Sequence, residues 1–162
     1  MKNKKSKVFY PPNQIPAEAE KLITIFIAGT IDDNKSFDWQ KEFVEQFDSP
    51  DIAFLNPRRK DWNSSWKQSI KDKNFKAQVN WELDHIESCD IVIMYFDPES
   101  KSPISLLELG ILTKKPEKVI VCCPDGFYRK GNIEIVCERY KISLLQSLEQ
   151  VVSVLKRAID KK

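Results

Sequence analysis

The sequence contains one histidine, His85, and no Gly-x-Ser-x-Gly motif. A Ser-His relay or a histidine-based metal site therefore has little to draw on. The chain also has four cysteines without metal-ligand spacing: Cys89, Cys122, Cys123 and Cys137. The adjacent pair at 122–123 lies in an apolar run, so we interpret both as small core residues. We expect no metal site.

The motifs that bind common nucleotide cofactors are missing as well. No Gly-x-Gly-x-x-Gly follows the first apolar run, and no Gly-x-x-x-x-Gly-Lys-Ser/Thr occurs anywhere. These motifs supply the backbone amides that hold pyrophosphate or triphosphate groups. Their absence disfavours a dinucleotide enzyme and a P-loop enzyme.

Long hydrophobic runs and a strong net charge are also lacking. No apolar run approaches a membrane span, and the first residues lack the apolar core of a signal peptide. The formal net charge of +2 is too small to indicate nucleic-acid binding. The basic ends, 2–7 and 156–162, are typical of solvated tails. With 162 residues, the chain fits one cytoplasmic domain with a sizeable core.

Apolar, β-branched runs alternate with amphipathic segments along the chain. The runs predict strands at 22–28, 52–55, 91–96 and 119–123. The amphipathic segments predict helices at 36–47, 75–88, 102–115 and from Ser143 onward. Residues 133–136 fit either a strand or the start of a helix. Continuous apolar strands between helices favour an α/β parallel sheet with helices on both faces.

Composition divides the chain into two parts at one boundary. Residues 1–20 are polar and punctuated by prolines, which predicts an irregular N-terminal arm, and residues 21–162 form the single domain. Between strands two and three, 60–76 reads as a loop with helical pieces. In the helix that follows, Val79, Leu83 and Ile86 form the predicted apolar stripe, with Trp81 at its side.

One carboxylate, Glu108, lies in a helix that is apolar on nearly every face. Ser102 is the predicted N-cap, Pro103 takes the first helical position, and Gly110 is expected to let another backbone come close. Such a helix is predicted to be buried. A buried carboxylate is unfavourable unless it is paired or used. Glu108 is therefore either catalytic or a residue that reaches solvent or a salt-bridge partner.

Ligands of parallel α/β sheets bind outside the carboxyl ends of the strands. The sequence places four segments there: 29–30, 56–59, 97–105 and 124–132. Glu108 lies within two turns of this edge, and Glu82, Asp90 and Asp97 are candidate partners. Two carboxyl groups in one pocket suit transfer at an acetal-like carbon. Asp90 and Asp97 flank a strand, where acids commonly cap turns.

Four stretches and one acid between them carry a family pattern. The stretches are FIAGT at 26–30, NPRR at 56–59, QVNWEL at 78–83 and SPISLLELG at 102–110, and the acid is Asp90. Together they resemble the nucleoside 2-deoxyribosyltransferase-like family over about residues 23–140. The resemblance implies a single-domain flavodoxin-like (Rossmann-like) sheet, no cofactor, and a role in nucleotide salvage.

The resemblance also implies roles for individual residues. Glu108 falls on the nucleophile that forms a covalent 2-deoxyribosyl intermediate, and Glu82 on an acid that is usually Asp. Ser102 falls where several transferases carry an Asp that handles the leaving base. Related 2-deoxynucleotide N-hydrolases have a serine near there that holds a 5′-phosphate. The implied substrate-binding residues are Gly29, Thr30, Arg58, Trp62, Asp97, Ser102, Ser105 and Asn132. Asn132 is expected to reach a neighbour's site, which implies a homo-oligomer.

Four functions remain open from the sequence. The leading one is exchange of the N-glycosidic bond between a 2′-deoxynucleoside donor and a free nucleobase acceptor. A rival is hydrolysis of a nucleoside 5′-monophosphate, with Arg58, Arg59 and Ser102 as natural phosphate contacts. A third is a module that senses a nucleotide without turnover. Nucleic-acid binding through 58–76 is the weakest, and it would weaken steeply with salt.

Overall fold

A computed structural model describes residues 5–32 and 36–160. The strands are β1 (Lys7–Phe9), β2 (Ile23–Gly29), β3 (Ile52–Leu55), β4 (Ile91–Tyr95), β5 (Val119–Cys122) and β6 (Ser143–Leu145). The helices are α1 (Trp39–Val44), α2 (Lys73–Ser88), α3 (Pro103–Leu112), α4 (Lys130–Tyr140) and α5 (Leu148–Ile159). Short 3-10 helices occupy Ala17–Lys21 and Pro116–Lys118.

All six strands are parallel and form one sheet in the order β1-β3-β2-β4-β5-β6. The last five follow the 2-1-3-4-5 order of flavodoxin-like folds, and β1 is added beside β3. The predicted parallel sheet with helices on both faces is therefore confirmed. None of the helices described is long and apolar enough to cross a membrane.

The sheet is buried on both faces because two separate hydrophobic clusters cover it. Ile25 and Ile27 of β2 pack toward α1 and α5, whereas Phe26 and Ala28 pack toward α2, α3 and α4. Alternate side chains of a strand point to opposite faces, so both sets must be apolar. This explains the continuous apolar runs, and the four cysteines lie in this interior as free thiols.

The prediction that α3 is buried on all sides is wrong. Ile104 and Leu107 are 60% and 63% exposed. The helix lies in a single layer on the sheet, so only one side faces the core, and that side carries Ser105, Glu108, Leu109 and Leu112. Gly110 is also exposed, and a Cβ added there would meet nothing within 4 Å. The expected close approach of another backbone at Gly110 is not found.

The C-terminal helix does not begin at Ser143. Ser143 opens the edge strand β6, whose residues pair with 120–122 of β5. The helix begins at Leu148, with Ser147 as the N-cap whose hydroxyl accepts from Gln150 N at 3.3 Å. Ser143 and Ser147 both precede apolar residues in the sequence. Only the pairing of Ser143 with β5 shows that it begins a strand and that Ser147 begins the helix. The open assignment of 133–136 resolves as helix α4.

The N-terminal arm and the α2 stripe also differ from prediction. The supposedly irregular arm contributes β1, which pairs with β3 from Lys7 to Phe9. On α2 the buried residues are Gln78, Trp81 and Ile86, whereas Val79 and Leu83 are only half-buried. Trp81 packs tilted against Phe26 with ring centroids 6.1 Å apart, and this rotates the helix from the predicted orientation.

Candidate active site

The site is organised around the carboxyl ends of β2 and β4, where the two strands pair directly. Gly29 lies opposite Tyr95 with φ +123, and a Cβ at Gly29 would lie 2.1 Å from Tyr95 O. No other residue type has room there, and few tolerate that backbone conformation. Thr30 N then donates to Tyr95 O at 2.9 Å. Gly29 therefore makes room for neighbouring backbone at the point where the strand order reverses.

A chain of hydrogen-bonded hydroxyl groups extends from Thr30 past the carboxyl end of β4. Thr30 Oγ1 is 2.6 Å from Ser102 Oγ, which is 2.9 Å from Ser100 Oγ. Ser100 donates to Asp32 Oδ1 at 2.8 Å, and Thr30 Oγ1 accepts from Asp97 N at 3.0 Å. Since Asp32 can only accept, the protons point from Thr30 through Ser102 and Ser100 toward Asp32.

This chain holds Ser102 in the left-handed region at φ 42 and ψ 53. Ser102 is the residue before α3, and Pro103 takes the first helical position as predicted. The Ser102 side chain does not cap the helix, because its hydroxyl is bonded to Thr30 and Ser100. The strained turn leads into α3, where Ser105 and Glu108, one turn apart, are both buried.

Glu108 on α3 and Glu82 on α2 form an interacting pair of carboxyl groups. Burial and, to a smaller extent, the negative charge of Glu82 together raise the pKa of Glu108 to about 8. Burial also raises the pKa of Glu82 to about 7, against the hydrogen bond that Gln78 donates. Like charges in one site do not ionise independently, so the pair titrates as a unit and is mainly singly protonated between about pH 7 and pH 8.

Arg58 is buried and holds the segment that leads into α1. Its Nη2 donates to Ser36 O at 2.6 Å, and its Nη1 to Phe37 O and Gln40 Oε1, both at 3.2 Å. Its Nε is 3.8 Å from Asp38 Oδ1. These contacts give the guanidinium a structural role.

Arg59 and two tryptophans cluster in the loop after β3. Arg59 makes a bidentate contact with Asp61 at 2.8 and 2.7 Å, and its guanidinium lies 4.8 Å from the Trp66 ring centroid. Trp62 packs edge-on against Trp66 at 5.3 Å. Trp62 Nε1 is buried and has no hydrogen-bond partner in the part of the chain that the structure describes.

The remaining predicted residues separate into turn caps and an exposed amide. Asp97 Oδ1 accepts from Glu99 N at 2.9 Å, which is the turn-capping role expected of an acid beside a strand. Asp90 lies at the start of β4, at the opposite edge, where its Oδ2 accepts from Thr24 N at 2.8 Å. Asn132 lies exposed in the first turn of α4, and its contact with a neighbouring subunit stays a prediction.

Sequence reasoning missed Gln78, Ser100 and Asp32. Gln78 lies four residues before Glu82 on α2, and its Nε2 donates to Glu82 Oε1 at 2.7 Å. That spacing on a helix is a signal that the sequence did offer. Ser100 and Asp32 are 68 residues apart and offer none.

The fold and site together define an α/β protein with an interacting pair of acids, one buried and one half-buried, at the switch point of a flavodoxin-like sheet. The family model described as nucleoside 2-deoxyribosyltransferase like matches residues 22–127. The chain belongs to this family. Among curated proteins, no sequence matches it.

A solved structure shares the fold. It is described as the crystal structure of a conserved protein from Enterococcus faecalis V583, with a TM-score of 0.61 and 14% sequence identity. The similarity covers 85% of this chain and 99% of the other. At this identity, the likeness extends to the fold alone.

Proposed function

We propose that this chain is an enzyme of nucleotide salvage that transfers a 2-deoxyribosyl group between nucleobases by cleaving the N-glycosidic bond of a 2′-deoxynucleoside. The observation that carries the proposal is the interacting pair of carboxyl groups at the ligand-binding edge of the sheet, the buried Glu108 and the half-buried Glu82. Family membership supports the same chemistry.

In the first half-reaction, Glu108 acts as the nucleophile. Its carboxylate oxygen forms a bond to C1′ while the C1′–N bond breaks and the electron pair passes to the base nitrogen. Because Glu108 has the higher pKa, the reacting form is the one in which the proton of the pair has passed to Glu82, which then protonates the leaving base. The products are a neutral free base and a glycosyl ester of Glu108.

The second half-reaction reverses these steps with another base. The acceptor base gives its N–H proton to the Glu82 carboxylate, and its nitrogen attacks C1′. The C1′–O electrons return to Glu108, which restores the carboxylate. Water in place of the base would give hydrolysis. Because the transition state resembles an oxocarbenium cation, a poorly solvated anion beside C1′ stabilises it strongly.

Three engaged side chains favour an unphosphorylated donor. The groups that would otherwise suit a 5′-phosphate are Arg58, Arg59 and Ser102. Arg58 binds 36–40, Arg59 binds Asp61, and the Ser102 hydroxyl is bonded on both sides. A phosphate would have to displace these contacts, which supports the nucleoside over its monophosphate.

Exposed apolar side chains support a homo-oligomer. Ile104 and Leu107 on α3 and Ile135 on α4 are each at least 60% exposed. Both helices lie on the same face of the sheet, and α4 also carries Asn132. A second copy covering this face would bury the apolar residues and bring its Asn132 to the neighbour's site.

A chromatographic assay tests the activity. Deoxyinosine or thymidine serves as donor, with and without adenine or cytosine, beside the matching 5′-monophosphates. A new deoxynucleoside that appears only with the acceptor base supports transfer. Base released from the monophosphate regardless of acceptor would replace transfer with hydrolysis. No product from any donor would leave the sensing module as the better account.

Two variants connect the activity to the acid pair. Glu108→Ala should abolish product formation while the circular dichroism spectrum stays that of the wild type. Glu117→Gln, at an exposed carboxylate in the turn after α3, serves as the matched control and should retain activity. Equal loss in both variants would contradict the role of Glu108.

A further inference from the structure

Gln78 makes two hydrogen bonds from the same amide nitrogen. The side chain is 3% exposed and lies on α2, one turn before Glu82. Its Nε2 donates to Pro57 O at 3.1 Å and to Glu82 Oε1 at 2.7 Å. The first contact connects α2 to the segment after β3, and the second touches the acid pair.

The orientation of this amide is fixed by chemistry. Pro57 O is a carbonyl oxygen and can only accept, so the nitrogen of Gln78 must face it. The same nitrogen faces Glu82 Oε1, and its two hydrogens are then both used. Glu82 Oε1 therefore has to accept a hydrogen bond whether or not the carboxyl group is protonated.

We infer that Gln78 is a positioning residue that confines the proton of Glu82, whenever that carboxyl group is protonated, to Oε2. This inference rests on the proposed function for its catalytic consequence. With Oε1 held as an acceptor, Oε2 is the oxygen that hands a proton to the leaving base. It also receives the proton of the acceptor base in the second half-reaction.

A second observation separates this role from simple packing. Gln78 Oε1 is buried and has no hydrogen-bond partner in the described part of the chain. An unsatisfied buried acceptor is unfavourable, and an apolar side chain of similar length would avoid it. Methionine would fill the space without that penalty, so the amide is explained by its donor group.

The groups around Glu82 determine whether loss of the Gln78 hydrogen bond raises or lowers the pKa of Glu82. The negative charge of Glu82 opposes ionisation of Glu108, on α3. Arg58 and Arg59, from the segment after β3, are engaged with 36–40 and with Asp61. On α2, His85 stacks on Trp81 at 4.2 Å. The Gln78 hydrogen bond lowers the pKa of Glu82, so its removal raises that pKa above about 7.

The test compares Gln78→Met with Gln40→Met by carbon-detected NMR titration of the glutamate carboxyl groups. Gln40 is equally buried, but its amide contacts Thr30 O and Arg58 and no acid of the pair. Glu82→Gln and Glu108→Gln assign the two signals. We expect the Glu82 midpoint to rise by about one pH unit in Gln78→Met, and to stay in place in Gln40→Met.

Kinetics then separate this inference from the proposed function. The basic limb of kcat/KM reports the loss of the last proton of the pair, and it should move to higher pH in Gln78→Met, in the same direction as the NMR midpoint. A moved midpoint in a protein that turns over no donor would support the positioning role and remove the proposed function. An unmoved midpoint would overturn the positioning role, whatever the activity. If Gln78→Met does not fold, Gln78→Asn, too short to reach both partners, is measured instead.

Discussion

Gly29 and Tyr95 face each other at the carboxyl ends of β2 and β4, so closely that a Cβ on Gly29 would lie 2.1 Å from Tyr95 O. The contact is with backbone, which cannot rotate away. This contact places Thr30, the residue after β2, against β4. The hydrogen bond between the hydroxyl groups of Thr30 and Ser102 depends on that position. The candidate site is thus built on a pair of strands that only glycine allows to meet.

Gly29→Ala should destabilise the protein by about 2–4 kcal/mol, since it adds an overlap with Tyr95 and a strained φ of +123. Urea unfolding measures the change. Gly110→Ala is the control, because a Cβ there meets nothing within 4 Å and alanine favours a helix. That variant should gain roughly 0.5–1 kcal/mol. Similar losses in both would contradict the close contact.

The acid pair predicts a fall in stability as the pH rises. Burial raises the pKa of Glu108 from 4.5 to about 8 in the folded protein. Between these two pH values, the native state therefore binds more protons than the unfolded chain. By linkage, the contribution of Glu108 to the free energy of unfolding is greatest below about pH 4.5. It decreases as the pH rises from there to about pH 8. Other carboxylates add their own pH dependence, so the comparison must be with a variant.

Glu108→Gln removes this titration and keeps the shape of the side chain. We expect its stability advantage over the wild type to grow between pH 5 and pH 8, by on the order of 2 kcal/mol. Urea unfolding at several pH values measures the difference. A constant difference across this range would mean that Glu108 titrates like an exposed carboxylate.

The central strands were predictable because a strand covered on both faces must be apolar throughout, as β2 and β4 are. The edge strands β1 and β6 have three residues each, and only pairing with a neighbour defines them. The apolar outer side of α3 misled the prediction, because the sequence alone does not distinguish core contact from exposure. Glu108 emerged as a lone acid in an apolar helix.

Several contacts that support the site join residues far apart in the sequence. Thr30 and Ser102 are 72 residues apart, and no local pattern predicts that their hydroxyl groups meet. The engagement of Arg58 with 36–40 was hidden for the same reason, which is why a basic pair beside a predicted site suggested phosphate binding. The contact between Gln78 and Glu82 could have been predicted, because residues four apart on a helix are neighbours.

Ser102 tests whether the hydroxyl chain is structural. Its φ of 42 strains any residue except glycine, so Ser102→Gly loses hydrogen bonds but relieves strain, whereas Ser102→Ala loses hydrogen bonds only. We expect Ser102→Ala to be less stable than Ser102→Gly by about 1 kcal/mol, measured by urea unfolding. The loss in kcat/KM for Ser102→Ala should be the same for nucleoside and monophosphate. A loss confined to the monophosphate would instead make Ser102 a phosphate contact.

Mixing two inactive variants tests whether neighbouring subunits share a site. Glu108→Ala lacks the proposed nucleophile, and Asn132→Ala lacks the residue proposed to reach across. If the sites are shared in a dimer, a mixed dimer rebuilds one intact site. Refolding the two together at equal amounts should then restore about a quarter of wild-type activity.

Leu107→Lys, on the exposed side of α3, supplies the structural counterpart of the mixing experiment. If the proposed oligomer forms through this face, a charge there should convert it to a monomer and lower activity, because the neighbour's Asn132 would no longer reach the site. Light scattering reads the mass, and the chromatographic assay reads the activity. Lys114→Glu, at an exposed position just past the end of α3, is the control for a change of charge and should leave both unchanged. A fully active monomer, or no recovery on mixing, would show that each chain completes its own site.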